Sequence, residues 1–140
     1  MPDLMLLTAM AERLAKADPP FWQGARDGHL MLQRGTTSVP AAPGHPVEPG
    51  TLRPFTGWQP ASGRGRVWSW IVMHRKYLPA FEADTPYVVA VVELVEGPLV
   101  VSALKGPLDG LACDAPVEVD FMVLSDGLSL PVFRLAGTAR

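Results

Sequence analysis

The stretch Ser62-Gly63-Arg64-Gly65-Arg66-Val67-Trp68-Ser69-Trp70-Ile71-Val72-Met73, followed after a Pro-containing loop by Tyr87-Val88-Val89-Ala90-Val91-Val92-Glu93-Leu94, decides the fold. Two glycines permit a tight turn, and the residues after them are β-branched or aromatic, the types that fit a pleated, half-buried surface. In the second run Val88, Ala90, Val92 and Leu94 point one way. Together the two segments read as two strands of a small barrel with the loop 75–86 at its mouth.

Working outward, further strand signals fall at about 52–59, 98–105, 116–124 and 128–134. Asp126-Gly127 supplies a hairpin turn between the last two. In the strand 116–124, Val117, Val119, Phe121 and Val123 alternate with Glu118, Asp120 and Met122, so that its outer side faces water. Short strands separated by turn residues, with no internal repeat, predict a mainly β fold: a five- to six-stranded OB-type barrel. Ahead of it, Leu4, Leu7, Met10, Ala11 and Leu14 recur at three- and four-residue spacing and predict an amphipathic helix over about 3–17, stopped by Asp18-Pro19-Pro20. A second short helix, 21–27, closes at Gly28 before a strand at 29–33. The segment 35–60 carries six of the chain's 15 prolines and four of its glycines, with no helical or strand period; it reads as an irregular arm. The expected organisation is a helical segment at 1–28, a ribbon-like segment at 29–51 and the barrel at 52–140.

Composition narrows the function. A chain of 140 residues holds one domain of ordinary size with its own core. With 48% hydrophobic and only 19% charged residues, it has more apolar surface than its interior needs, so some is expected to lie against another protein. A net charge of −2 gives no broad cationic field for a phosphate backbone. The single cysteine, Cys113, leaves no intramolecular disulfide and no thiolate metal site, which fits a reducing, cytoplasmic setting. Cys113 is expected to be a half-buried small hydrophobe. Asp3 stands where a secretory leader would carry positive charge, and Leu4–Leu7 is too short an apolar run to span a membrane.

No catalytic constellation is legible. No serine lies in a G-x-S-x-G turn, and no histidine is near Cys113 in sequence. Asp109, Asp114 and Asp126 are turn residues. The residues suited to touching a ligand phosphate or a protein partner are Arg64, Arg66, His74 and Arg75, with Tyr77 and Phe81 in the loop. Trp68, Trp70 and Val72 share one face by strict alternation, opposite Val67, Ile71 and Met73. Because a barrel strand has one inward face, one of these sets forms an apolar stripe on the outside, either open to a partner or covered by the helices. Tryptophans are frequent interface anchors.

The blocks FWQGARDGHLMLQR, SGRGRVWSWIVMHR, PYVVAVVEL and APVEVDFMVLSDGLSLPVFR resemble, in this order, the acyl-CoA-associated OB-fold family known as domain of unknown function 35. The resemblance covers about Phe21 to Arg134. It implies a helical N-terminus, a rubredoxin-like zinc ribbon and an OB-fold, in a non-catalytic subunit that works beside a thiolase-like or lipid-transfer-protein-like enzyme on a coenzyme A thioester. It further implies a hetero-oligomer with two copies of each chain, carbon–carbon cleavage or acyl transfer, and a place in lipid or steroid side-chain degradation. The family's four ribbon cysteines fall on Gly35, Ser38, His45 and Glu48. That set does not make a structural zinc site, which takes four Cys or His donors. No metal and no bound cofactor is therefore expected on this chain. The competing reading is a single-strand nucleic-acid-binding OB-fold, which would use Arg66 with Trp68 and Trp70 on one sheet face.

Overall fold

The structure is a computed structural model that describes residues 19–74, 87–125 and 128–136. Among the described residues, one helix, α1 (Pro19–Arg26), precedes seven strands: β1 (Met31–Arg34), β2 (Gly57–Pro60), β3 (Arg64–Met73), β4 (Tyr87–Leu94), β5 (Leu99–Leu104), β6 (Pro116–Ser125) and β7 (Leu128–Leu135). The helix expected at 3–17, the loop residues Arg75, Tyr77 and Phe81, and the Asp126-Gly127 turn lie outside the described residues.

Strands β3 to β7 close into a barrel in the order β3-β4-β5-β7-β6. Every junction is antiparallel except β5 with β7, which run parallel and pair only at Leu104 and Phe133. The inward set on β4 is the alternating one expected: Val88, Ala90, Val92 and Leu94 are all buried. Around them pack Val67, Val100, Leu104, Val117, Phe133 and Leu135, with Leu30 and Leu32 entering from the N-terminal side. Gly63, just before β3, has φ 81, a conformation that favours glycine. A Cβ on Gly63 would also collide with Val119 Cγ1.

Two expectations change. The strand expected at 52–59 shortens to β2, and it pairs with β1 in a separate two-stranded sheet, Leu32 opposite Gln59, instead of joining the barrel. Prolines at 54 and 60 limit its ladder from both ends. The second change is in β3. Its register with β4 slips between Val67 and Ser69, leaving Trp68 as a bulge residue. The slip reverses the alternation beyond it. Trp70 now opposes Ala90 and Val72 opposes Val88, on the same inward side as Val67, while Ile71 opposes Val89 outside. Trp68 and Trp70 therefore do not share a face. Trp70 packs against the core, and Trp68 is 54% exposed.

The bulge falls where β3 leaves its ladder with β6. The β3–β6 ladder ends at Arg66 opposite Pro116. Val67 then donates its N–H to the Ala115 carbonyl and accepts from the Asp114 N–H, so the chain edge turns a corner at this point.

Candidate functional site

Four places on the fold bear on function. The first is the basic edge at the start of β3. Arg64 is exposed and beside the turn. Arg66 projects toward β4 and the loop before β6, where Nε donates to Glu93 Oε1 at 2.7 Å and Nη1 to Asp114 Oδ1 at 2.8 Å. The hydrogen bond to Glu93, with the charges of Glu93 and Asp114, holds the guanidinium in its charged form above the usual range. A guanidinium met by two carboxylates presents little positive charge to a phosphate. The expected grouping of Arg66 with both tryptophans is also broken by the bulge.

The second place is the ribbon-like segment, which is more ordered than an irregular arm. Gln33 and Ala41 exchange both backbone hydrogen bonds at 2.8 Å, and the Gln33 side chain accepts from the His45 N–H. Glu48 is 3% exposed, and its carboxylate takes hydrogen bonds from the Thr36 N–H (2.8 Å), the Thr36 hydroxyl (2.9 Å) and the Thr37 N–H (3.0 Å). The Thr36 N–H, with those further bonds, keeps the Glu48 carboxyl below its ordinary range despite desolvation. Glu48 also closes a turn through its own backbone, with its N–H on the Arg53 carbonyl and its carbonyl on the Leu52 N–H.

Of the four ribbon positions, the structure brings two together. Gly35 lies against the Glu48 carboxylate so closely that a Cβ there would overlap Oε2. Ser38 and His45 are exposed. These residues do not fit a structural zinc ion: Gly35 has no donor, the Glu48 oxygens are occupied by Thr36 and Thr37, and no sulfur is present at any of the four. Two backbone N–H groups and the Thr36 hydroxyl hold the Glu48 carboxylate, and the missing side chain of Gly35 leaves room for it, a link the sequence pattern alone did not disclose.

The third place is Cys113. It is exposed, not half-buried, because the 108–115 segment runs as surface turns ahead of β6. Among the described residues no group of His, Cys, Asp and Glu could hold a metal. His74 is exposed at the end of β3.

The fourth place is apolar and was not expected. Because β5 and β7 meet only at Leu104 and Phe133, they splay below that point and open a cavity of about 540 Å3. Phe21 and Trp22 of α1, Leu30, Val100 and Phe133 line it, and so do Leu99 and Val101 of β5. The apolar run Leu99-Val100-Val101, with no polar alternation, was the signal for it. On the outer side of β6, Asp120 accepts from Arg134 Nε at 3.0 Å, so the polar face expected there carries its own ion pair.

Five strands closed in the order first, second, third, fifth, fourth make an OB-fold, here preceded by the two-stranded sheet of β1 and β2. Residues 58–122 match the family model described as ChsH2, C-terminal OB-fold domain. The chain is 36% identical to a chain of the solved Ltp2-ChsH2(DUF35) aldolase, with TM-score 0.67, over 85% of this chain and 94% of that one. This chain belongs to the DUF35 family of OB-fold proteins. It is also 40% identical over 126 residues to the probable enoyl-CoA hydratase alpha subunit of Thermomonospora curvata, a match that takes in 85% of this chain but only 38% of the length of that relative. A DUF35 protein of unknown function from Sulfolobus solfataricus shares the fold, with TM-score 0.57 at 9% identity. No described helix is long and apolar enough to cross a membrane.

Proposed function

We propose that this chain is a non-catalytic accessory subunit that binds a thiolase-like, lipid-transfer-protein-like enzyme and supports its cleavage or transfer of an acyl group carried on coenzyme A. The observation that carries this reading is the likeness at 36% identity across 94% of the DUF35 chain in the Ltp2-ChsH2 aldolase. The named enoyl-CoA hydratase relative points to the same class of thioester substrate. Steroid or lipid side-chain degradation, an assembly with two copies of each chain, and a reducing cytoplasmic compartment complete the proposal.

The chemistry of the chain itself agrees with an accessory role. Its arginine best placed to meet a phosphate is neutralised by Glu93 and Asp114. Its cysteine is exposed in a turn region, and His74 is exposed at a strand end. What the described surface offers in quantity is apolar area, which suits protein association better than acid–base work. The coenzyme A thioester is accordingly the substrate of the assembly, and this chain carries neither metal nor cofactor.

The test is affinity capture of the full-length chain from its native cells, with mass spectrometry of what remains after a salt wash. A thiolase-like chain in equimolar amount supports the proposal. Capture of single-stranded nucleic acid and no such chain would overturn it.

A further inference from the structure

The strand register assembles a continuous apolar surface on the outside of the β3–β4–β5 sheet. Ile71 opposes Val89, and Val89 opposes Ala103; Ser69 opposes Val91, and Val91 opposes Val101; one row further, Glu93 opposes Leu99. Directly opposed residues on antiparallel strands project to the same side, and their sequence neighbours Val88, Ala90, Val92 and Val100 are the buried inner set, so these rows face out. Ile71 is 57% exposed, Val101 72% and Leu99 43%. Trp68, thrown outward by the bulge, extends the patch along β3. At its other margin Leu99 and Val101 also line the cavity between β5 and β7.

We propose that this face is the docking surface for the catalytic subunit, and that the partner seats one large apolar side chain in the cavity beside Val101. The inference rests on the accessory-subunit reading and adds where the contact is made. The exposed parts of Trp68, Ile71, Leu99 and Val101 leave on the order of 400 Å2 of apolar surface, the size of the patches that monomers keep for a function. Adding the polar groups of Arg66, Glu93 and Asp114 at the rim brings the face close to the roughly 800 Å2 per partner of a standard stable interface. An apolar centre, a self-neutralised polar rim and an adjoining pocket are the parts of a hot-spot interface. The partner that fits is a protein with a flat, uncharged, apolar surface and one protruding aromatic or long aliphatic residue. Nucleic acid does not fit, because the patch has no unpaired cation at its centre. A second copy of this chain, which would offer its own exposed Trp68 as the anchor, is the competing occupant that the oligomeric state tests.

The experiment uses the full-length chain and the purified thiolase-like chain recovered with it. Dissociation constants are measured by calorimetry for wild type and for Val101→Glu, Ile71→Glu, Trp68→Ala and Val123→Glu. Burying an unpaired carboxylate weakens binding roughly 100-fold or more, so the first two variants are expected to lose measurable affinity. Trp68→Ala is expected to lose ~10-fold or more. Val123→Glu, 69% exposed but on β6, is expected to bind as wild type. All four sites are exposed, and melting temperatures close to wild type verify folding. Binding by folded Val101→Glu and Ile71→Glu as tight as wild type overturns the proposed face while leaving the accessory reading intact. No binding by the wild type sinks the accessory reading itself. A wild-type homodimer that Val101→Glu converts to monomer overturns the choice of occupant.

Discussion

Replacing Val92 and Val101 by alanine, one at a time, separates the inside of the barrel from its spare apolar face. Val92 is wholly buried, held in register between Val67 and Val100. Alanine there removes two methyl groups, worth about 1.6 kcal/mol in transfer at 0.8 kcal/mol each. The void adds about 1 kcal/mol if the barrel does not collapse onto it, for a total of about 2.5 kcal/mol. Val101, on the neighbouring strand, is 72% exposed, so the same change removes little buried area. Even with the lower strand propensity of alanine, its cost stays below about 1 kcal/mol. For a domain of this size, 1 kcal/mol lowers the melting temperature by roughly 3–4 °C. Thermal unfolding followed by circular dichroism should thus show a drop of about 10 °C for Val92→Ala and less than ~4 °C for Val101→Ala. Equal drops would refute the assignment of inner and outer faces, and with it the proposed docking surface.

Other outcomes follow from the ribbon and the basic edge. Glu48 has a folded-state pKa below its ordinary value of 4.5, so its contribution to stability is present above that pH and is lost as pH falls through the folded pKa. Melts across that range should show wild type losing this contribution in acid, with Glu48→Gln nearer to wild type at low pH than at pH 7; a constant gap would rule out the carboxylate as the pivot. Gly35→Ala should lower the melting temperature at pH 7, because the added Cβ displaces the Glu48 carboxylate from Thr36 and Thr37. A chelator should leave the melting temperature unchanged, and a fall would require a metal site that these residues do not provide. Fluorescence anisotropy with single-stranded DNA or RNA at physiological salt should show weak binding at most, and a submicromolar dissociation constant would reinstate the nucleic-acid reading.

How far the sequence could be read depended on whether a feature was local. The β4 strand was legible because its buried residues keep an unbroken period of two; β6 and β7 were legible from their apolar and β-branched content, although burial in β7 runs in pairs and the β6–β7 register shifts between Val123 and Ser125. The faces of β3 were not, since a bulge at Trp68 depends on where the β3–β6 ladder stops, which is a property of residues about 50 positions away. The pairing of β2 with β1 was hidden for the same reason: a four-residue strand ending on Pro60 carries no record of which sheet it joins. Gly35 and Glu48 were marked as positions that had lost a metal. Their role as a contact pair required the chain path that folds residue 48 under Thr36 and Thr37. The cavity arises from a single-residue junction between β5 and β7 and was foreshadowed only by the apolar run at 99–101.

The account stands or falls on whether catalysis belongs to the assembly and not to this chain. Turnover of an acyl-CoA thioester, measured for the chain alone, for the captured thiolase-like chain alone and for the two reconstituted, is the most direct measurement. Negligible turnover by this chain, with full activity only when both are present, is the predicted result. Turnover by this chain on its own, or a partner equally active without it, would contradict the account.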